Sequence, residues 1–222
     1  MTSETSTAML ACATLKDEIE EVIRRKSARL SVRYLPVRHN RPTEMREMIA
    51  AAVRQLSKAG TILLAYGYCG GGLEGICSPT ATLVIPKAHD CIDCLLPESY
   101  RDAAFRAGRF FLTGGWLRDE KSLIRELKSL EHVLDDKRRS EYIQSVYGGY
   151  HRLTLIDDGA YSVGKVLPLA EEASGMLHLP VERITGSLSI MEKLIDGTWD
   201  ENFLVVPPGQ RITGESLVCL NV

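Results

Sequence analysis

Short apolar runs bounded by turn residues recur along the chain, and segments of helical period lie between most of them. This alternation constrains the fold most, because a strand, a helix and a second strand in succession pack back as a parallel pair. Ala8–Ala13 reads as a buried strand, and Leu15–Lys26 as a helix with Leu15, Ile19, Val22 and Ile23 on one face. Leu30–Leu35 is a second strand. Thr43 is expected to N-cap a helix reaching Ser57, with Met45, Met48, Ile49, Ala52, Val53 and Leu56 as its apolar stripe. Thr61–Ala65 is a third strand and ends in a glycine-rich loop.

Leu83–Ile85 and Arg109–Leu112 continue the series, with helical stretches at Pro97–Ala107 and, long and charged, at Glu120–Val146. A last set runs strand Leu153–Ile156, helix Tyr161–Ser174, strand Val181–Arg183, helix Leu188–Asp196, strand Phe203–Val206, and Pro207-Pro208-Gly209 ends it. The expected architecture is one α/β domain on a mostly parallel, doubly wound, Rossmann-like sheet flanked by helices. The order seen from Ala8 to Ala65 returns from Leu153 to Val206, so two related βαβαβ halves, 8–147 and 150–209, are a second organisation, with Gly148-Gly149 as the joint.

At 222 residues the chain is long enough for its own core, and a formal charge of −2 gives no basic surface for nucleic acid. No segment approaches the roughly 20 apolar residues that a bilayer requires, and the polar start lacks the basic region of a signal peptide. The expected setting is cytoplasmic. In that setting the six cysteines, four of them in two short windows, point to thiol or metal chemistry rather than to disulfides.

In an open parallel sheet, ligands bind outside the carboxyl ends of the strands. Cys12 follows the first strand and His39-Asn40 the second. Cys69-Gly70-Gly71 follows the third, and His89-Asp90-Cys91 the fourth. Each loop therefore carries a soft or borderline metal ligand. A lone Cys12 at a strand end is ordinarily a small core residue, and His39-Asn40 between arginines is ordinarily a solvated loop. The glycines after Cys69 permit positive φ and close approach to a ligand, yet no Walker lysine follows and no dinucleotide fingerprint is in frame.

His89-Asp90-Cys91-Ile92-Asp93-Cys94 is the densest cluster, with imidazole and thiolate two residues apart. His89 and Cys91 are preferred as ligands over Cys94, which is expected to face the core on a short helix. Asp90 is assigned to orienting His89 or to general base work. Thr113-Gly114-Gly115-Trp116 reads as a turn, with a ligand platform on Trp116 as the functional version. Asp157-Asp158-Gly159 reads as a helix cap, and Cys77 and Cys219 as incidental.

These segments together resemble the domain-of-unknown-function family 1638. The resemblance rests on Ala11-Cys12 with Leu15 and Glu18, Leu35-Pro36 with His39-Asn40-Arg41-Pro42, Tyr66-Gly67-Tyr68-Cys69-Gly70, and Val84-Ile85-Pro86-Lys87-Ala88-His89-Asp90-Cys91. Thr113-Gly114-Gly115-Trp116 and Phe203-Leu204-Val205-Val206-Pro207-Pro208-Gly209 complete it. It implies an α/β protein whose motifs include Cys12, Cys69, His89 and Cys91, associated with corrinoid-dependent one-carbon metabolism. Where the family pattern has asparagine after the cysteine and glycine, this chain has Gly71, and Cys94 is additional.

The expected function is that of a metal-centre protein with Cys12, Cys69 and Cys91 as thiolate ligands and His89 as ligand or acid/base. Gly70, Gly71, His39, Asn40 and Trp116 are expected to line the site. A four-iron iron–sulfur cluster with one open iron and a zinc site completed by His89 are the two versions. The alternatives are a metal-free enzyme with a Cys69 or Cys91 nucleophile, and a non-catalytic accessory module. Expected partners are a small-molecule substrate or a corrinoid or methyltransferase protein, with no nucleic acid and no membrane.

Overall fold

In the computed structural model, which describes residues 6–38, 41–119 and 122–215, the apolar runs form strands and the periodic segments form helices. In chain order these are β1 (Thr7–Cys12), α1 (Lys16–Lys26), β2 (Ser31–Leu35), α2 (Pro42–Gln55), β3 (Thr61–Ala65), β4 (Thr82–Pro86), α3 (Ala103–Arg106), β5 (Arg109–Leu112) and α4 (Gly114–Arg118). They continue with α5 (Leu123–Val133), α6 (Asp136–Tyr147), β6 (Arg152–Asp157), α7 (Val163–Leu177), β7 (Val181–Thr185), α8 (Ser189–Asp196) and β8 (Phe203–Val206).

The chain divides into two compact units, one comprising 1–95 with 187–222 and the other 96–186. The first unit holds a five-stranded sheet in the order β2-β1-β3-β4-β8. Its first four strands are parallel, and β8 lies antiparallel to β4. Strand parity sorts the side chains. Ala8 and Leu10 of β1, Ile62 and Leu64 of β3, and Leu83 and Ile85 of β4 share one core with Met45, Ile49, Ala52 and Val53 of α2. The alternate residues Met9, Ala11, Leu63 and Val84 are buried as well, so both faces of the sheet are covered, as a parallel sheet requires.

The second unit holds the parallel sheet β5-β6-β7. Glu182 of β7 ties its three strands together. It accepts hydrogen bonds from Arg109 Nε of β5 at 2.9 Å, and from Thr154 Oγ1 and Arg152 Nη1 of β6 at 2.7 and 3.0 Å. Gly148 and Gly149, the expected joint, fall inside this unit between α6 and β6.

The mostly parallel α/β architecture is as expected, but four local expectations are corrected. Phe203–Val206 does not close a second parallel set: it pairs antiparallel along Leu83–Pro86 in the first sheet, so the echo from Leu153 ends at β7. Thr43 is not an N-cap, because Pro42 already occupies the first turn and Arg41 stands at the cap without a side-chain bond. The long helix expected over Glu120–Val146 is broken where Leu134 turns extended and the Asp135 carboxylate caps α6 by accepting from Arg138 N–H at 2.8 Å. Pro97–Ala107 forms only a 3-10 turn and the four-residue α3.

Candidate functional site

After β1 the chain crosses to β2 on one side, and it returns to lay β3 on the other. The boundary between β1 and β3 is thus the topological switch point, where the loops diverge and leave a crevice. Cys12 is the last residue of β1. The loops after β3 and β4 carry Cys69 and Cys91, and they are joined by backbone hydrogen bonds from Tyr68 N–H to Ala88 O at 2.7 Å and from Cys69 N–H to His89 O at 2.8 Å.

The glycine at 67 is what lets these loops meet. A Cβ there would lie 2.4 Å from Asp90 Cα, a backbone clash that no rotamer relieves. Beyond it, Cys69, Gly70 and Gly71 have φ values of 46, 65 and 92°, three consecutive left-handed residues. For a cysteine this conformation costs roughly 1–2 kcal/mol, strain of the kind that clusters at functional sites.

The three sulfurs converge. Thr14 Oγ1 lies 3.1 Å from Cys12 Sγ and 3.9 Å from Cys91 Sγ. The Cys69 sulfur accepts from the backbone N–H groups of Gly67 and Cys91. Burial pushes the Cys69 thiol up to about 12, reinforced by the charges of Asp90 and Cys12 and opposed by those two N–H donors. Burial also holds Cys91 well above the usual thiol range, and Cys12, Cys69, Asp90 and Cys94 add to the effect. Asp90 and the neighbouring cysteines thus act on both thiols in the same direction as burial. None of the five cysteines at 12, 69, 77, 91 and 94 is in a disulfide.

Beneath the sulfurs lies Tyr66, 1% exposed and part of the core under α2, against which Cys12 and Cys69 also pack. The register Ala11↔Ala65 places it beside Cys12 on the neighbouring strand, and Ile62 and Leu64 precede it on the same face. Its hydroxyl has no hydrogen-bond partner among the described residues. Its pKa is raised by burial first, then by Cys12 and Cys69.

The remaining expected site residues divide sharply. His89 is exposed, and its hydrogen bonds are made by its backbone, the N–H donating to Asp93 Oδ2 at 2.8 Å. Asp90 Oδ1 accepts from Asp93 N–H at 3.0 Å and pins the 3-10 turn Asp93–Leu95. Cys94 is buried on this turn and donates its thiol proton to Asp90 O at 3.7 Å. Gly70 is exposed, while Gly71 is buried with its carbonyl held by Arg46 Nη2 at 2.9 Å. His39, Asn40 and Cys219 lie outside the described residues.

Trp116 belongs to the second unit, where its backbone N–H bonds Thr113 Oγ1 at 3.1 Å to cap α4 and its side chain packs on that unit's core. Asp157 pairs with Arg183, and Asp158 accepts from Ala160 N–H at 2.9 Å, so neither caps α7, whose N-cap is Ser162. Among the described residues, no group of three or more His, Cys, Asp or Glu stands close enough to hold a single metal ion.

The model of a family described as a protein of unknown function, DUF1638, matches residues 36–195, well over half of the chain. The chain belongs to the DUF1638 family. The matched region takes in Cys69 and Cys91 and begins after Cys12. No curated protein and no solved structure matches the chain. No helix among the described residues of this DUF1638 protein is long and apolar enough to cross a membrane.

Three residues at the DUF1638 crevice went unassigned in the sequence: Thr14, Tyr66 and Gly67. Tyr66 continues the period-2 pattern of Ile62 and Leu64 and was legible on that ground. Thr14 carried no signal beyond its place two residues after Cys12, and the steric role of Gly67 depends on a loop distant in sequence.

Proposed function

We propose that this protein holds an iron–sulfur cluster on Cys12, Cys69 and Cys91. The observation that carries the reading is the convergence of three thiols from three strand-end loops on the switch point of a parallel sheet, with one Thr14 hydroxyl near two of them. Charge chemistry supports it. Three clustered thiolates beside Asp90 repel one another, and an occupant bearing positive metal charge offsets that repulsion.

A nucleophilic cysteine needs the opposite field, with a neighbouring cation to lower its pKa. His89, the base expected for that role, makes no side-chain hydrogen bond among the described residues. A cluster is also favoured over zinc. A single tetrahedral zinc draws its thiolates to about 3.8 Å from one another, given Zn–S bonds near 2.3 Å. A four-iron cube spreads its ligands over separate irons, which suits sulfurs that converge without forming a single-ion group.

The chain's own residues fit such a group. The N–H groups of Gly67 and Cys91 stabilise the Cys69 thiolate, Thr14 donates to Cys12, and Tyr66 presents a hydroxyl without a partner among the described residues. When bound, the cluster supplies one-electron chemistry and, with three protein thiolates, an iron open to a substrate oxygen. On the family resemblance alone, we place this activity in or beside corrinoid-linked one-carbon metabolism.

The test is iron and acid-labile sulfide analysis, with an absorption spectrum, on anoxically purified protein. Wild type should be brown. Cys12→Ser, Cys69→Ser and Cys91→Ser should each lose most of the iron, while Cys77→Ser and Cys94→Ser keep it. Iron that survives all three changes contradicts the ligand assignment, and stoichiometric zinc in colourless protein replaces the cluster.

A further inference from the structure

A buried hydroxyl with nothing to bond costs roughly 1–3 kcal/mol, so native chains seldom keep one without a reason. Tyr66 is such a case: 1% exposed, its oxygen without a partner among the described residues, and placed at the carboxyl end of β3 next to Cys12 on β1. Its ring packs in the core under α2, which fixes where the hydroxyl points and removes most of the entropy cost of using it. Phenylalanine would fill the same space without the penalty. The retained oxygen therefore calls for an acceptor that the described residues do not supply.

Resting on the cluster reading above, we propose that Tyr66 is a positioning residue whose phenol O–H donates a hydrogen bond to a sulfur of the group held by Cys12, Cys69 and Cys91, and so sets its reduction potential. The residue is buried in the sheet beneath the cysteines, so it addresses what they hold rather than what enters from solvent. Its proton is shared and not transferred. Hydrogen bonds to cluster sulfurs favour the electron-rich reduced state and raise the potential. The same geometry gives Tyr66 opposite effects in the empty and the loaded chain.

The experiment compares wild type with Tyr66→Phe, each metal-free and each reconstituted anoxically with iron and sulfide. Tyr66→Phe should melt a few degrees higher than wild type when metal-free, because the unpaired oxygen is gone. Once reconstituted it should carry the same iron and sulfide but show a more negative midpoint potential. A variant that loads fully and keeps the wild-type potential overturns this inference and leaves the cluster standing. A metal-free variant that melts lower than wild type overturns it too, since the hydroxyl then has a partner within the chain. A wild-type chain that takes up no iron overturns the cluster reading and this inference together.

Discussion

Two loops in this protein follow a strand and carry adjacent glycines, and they do different work. The loop after β3 runs through Cys69, Gly70 and Gly71 in three left-handed residues, while the loop after β5 enters α4 from an extended Thr113 at φ −121°. In the second, Thr113 Oγ1 simply caps the helix, and Gly114 makes room for the ring of Tyr161. In the first, Gly67 admits the backbone of a neighbouring loop, and a strained cysteine presents a sulfur beside two others. A glycine pair after a strand is thus poor evidence of a site; strain borne by a residue other than glycine is better evidence.

The largest contrast should come from the two close glycines. Gly67→Ala meets backbone at 2.4 Å, and is expected to cost about 3 kcal/mol or more and to abolish iron uptake. Gly114→Ala meets only the Tyr161 ring at 2.7 Å, and should cost about 1–3 kcal/mol in denaturant unfolding while leaving iron content intact. Equal losses of iron in the two variants would erase the distinction.

A smaller difference sharpens the claim of strain. With the thiol removed in both cases, metal-free Cys69→Gly should be more stable than Cys69→Ala by about 1 kcal/mol, because only glycine accepts φ 46° freely. Equality between them would mean that the loop relaxes. Smallest is Thr113→Ala, which should lose about 1 kcal/mol from a missing cap and change no spectroscopic property.

The strands were the most legible part of the sequence, since β3 and β5 match their apolar runs to the residue and β1 is misplaced by one. The direction of β8 was hidden. An apolar run of four residues reads the same in either orientation, and only its pairing with Leu83–Pro86 decides. The break at Leu134-Asp135 carried its capping signal openly, an aspartate three residues before Arg138, but strong helix formers on both sides masked it.

At the site, strand-end logic pointed to Cys12, Cys69 and Cys91, which end or follow three neighbouring strands of one sheet. It also gathered His89, whose side chain the fold leaves exposed, because proximity along the chain says nothing about which way a loop residue faces. The opposite failure produced the silence on Tyr66: next to a glycine run it looked like loop, although its parity belonged to the strand.

The chain leaves the first unit at Leu95 and re-enters it at Ser187, and these two residues are themselves hydrogen-bonded, Ser187 N–H to Leu95 O at 2.8 Å. Everything from 96 to 186 is therefore a detour between two points that already touch. A chain shortened by splicing a brief glycine–serine bridge across that gap would keep every strand and cysteine of the crevice, and would isolate it as a minimal module for spectroscopy.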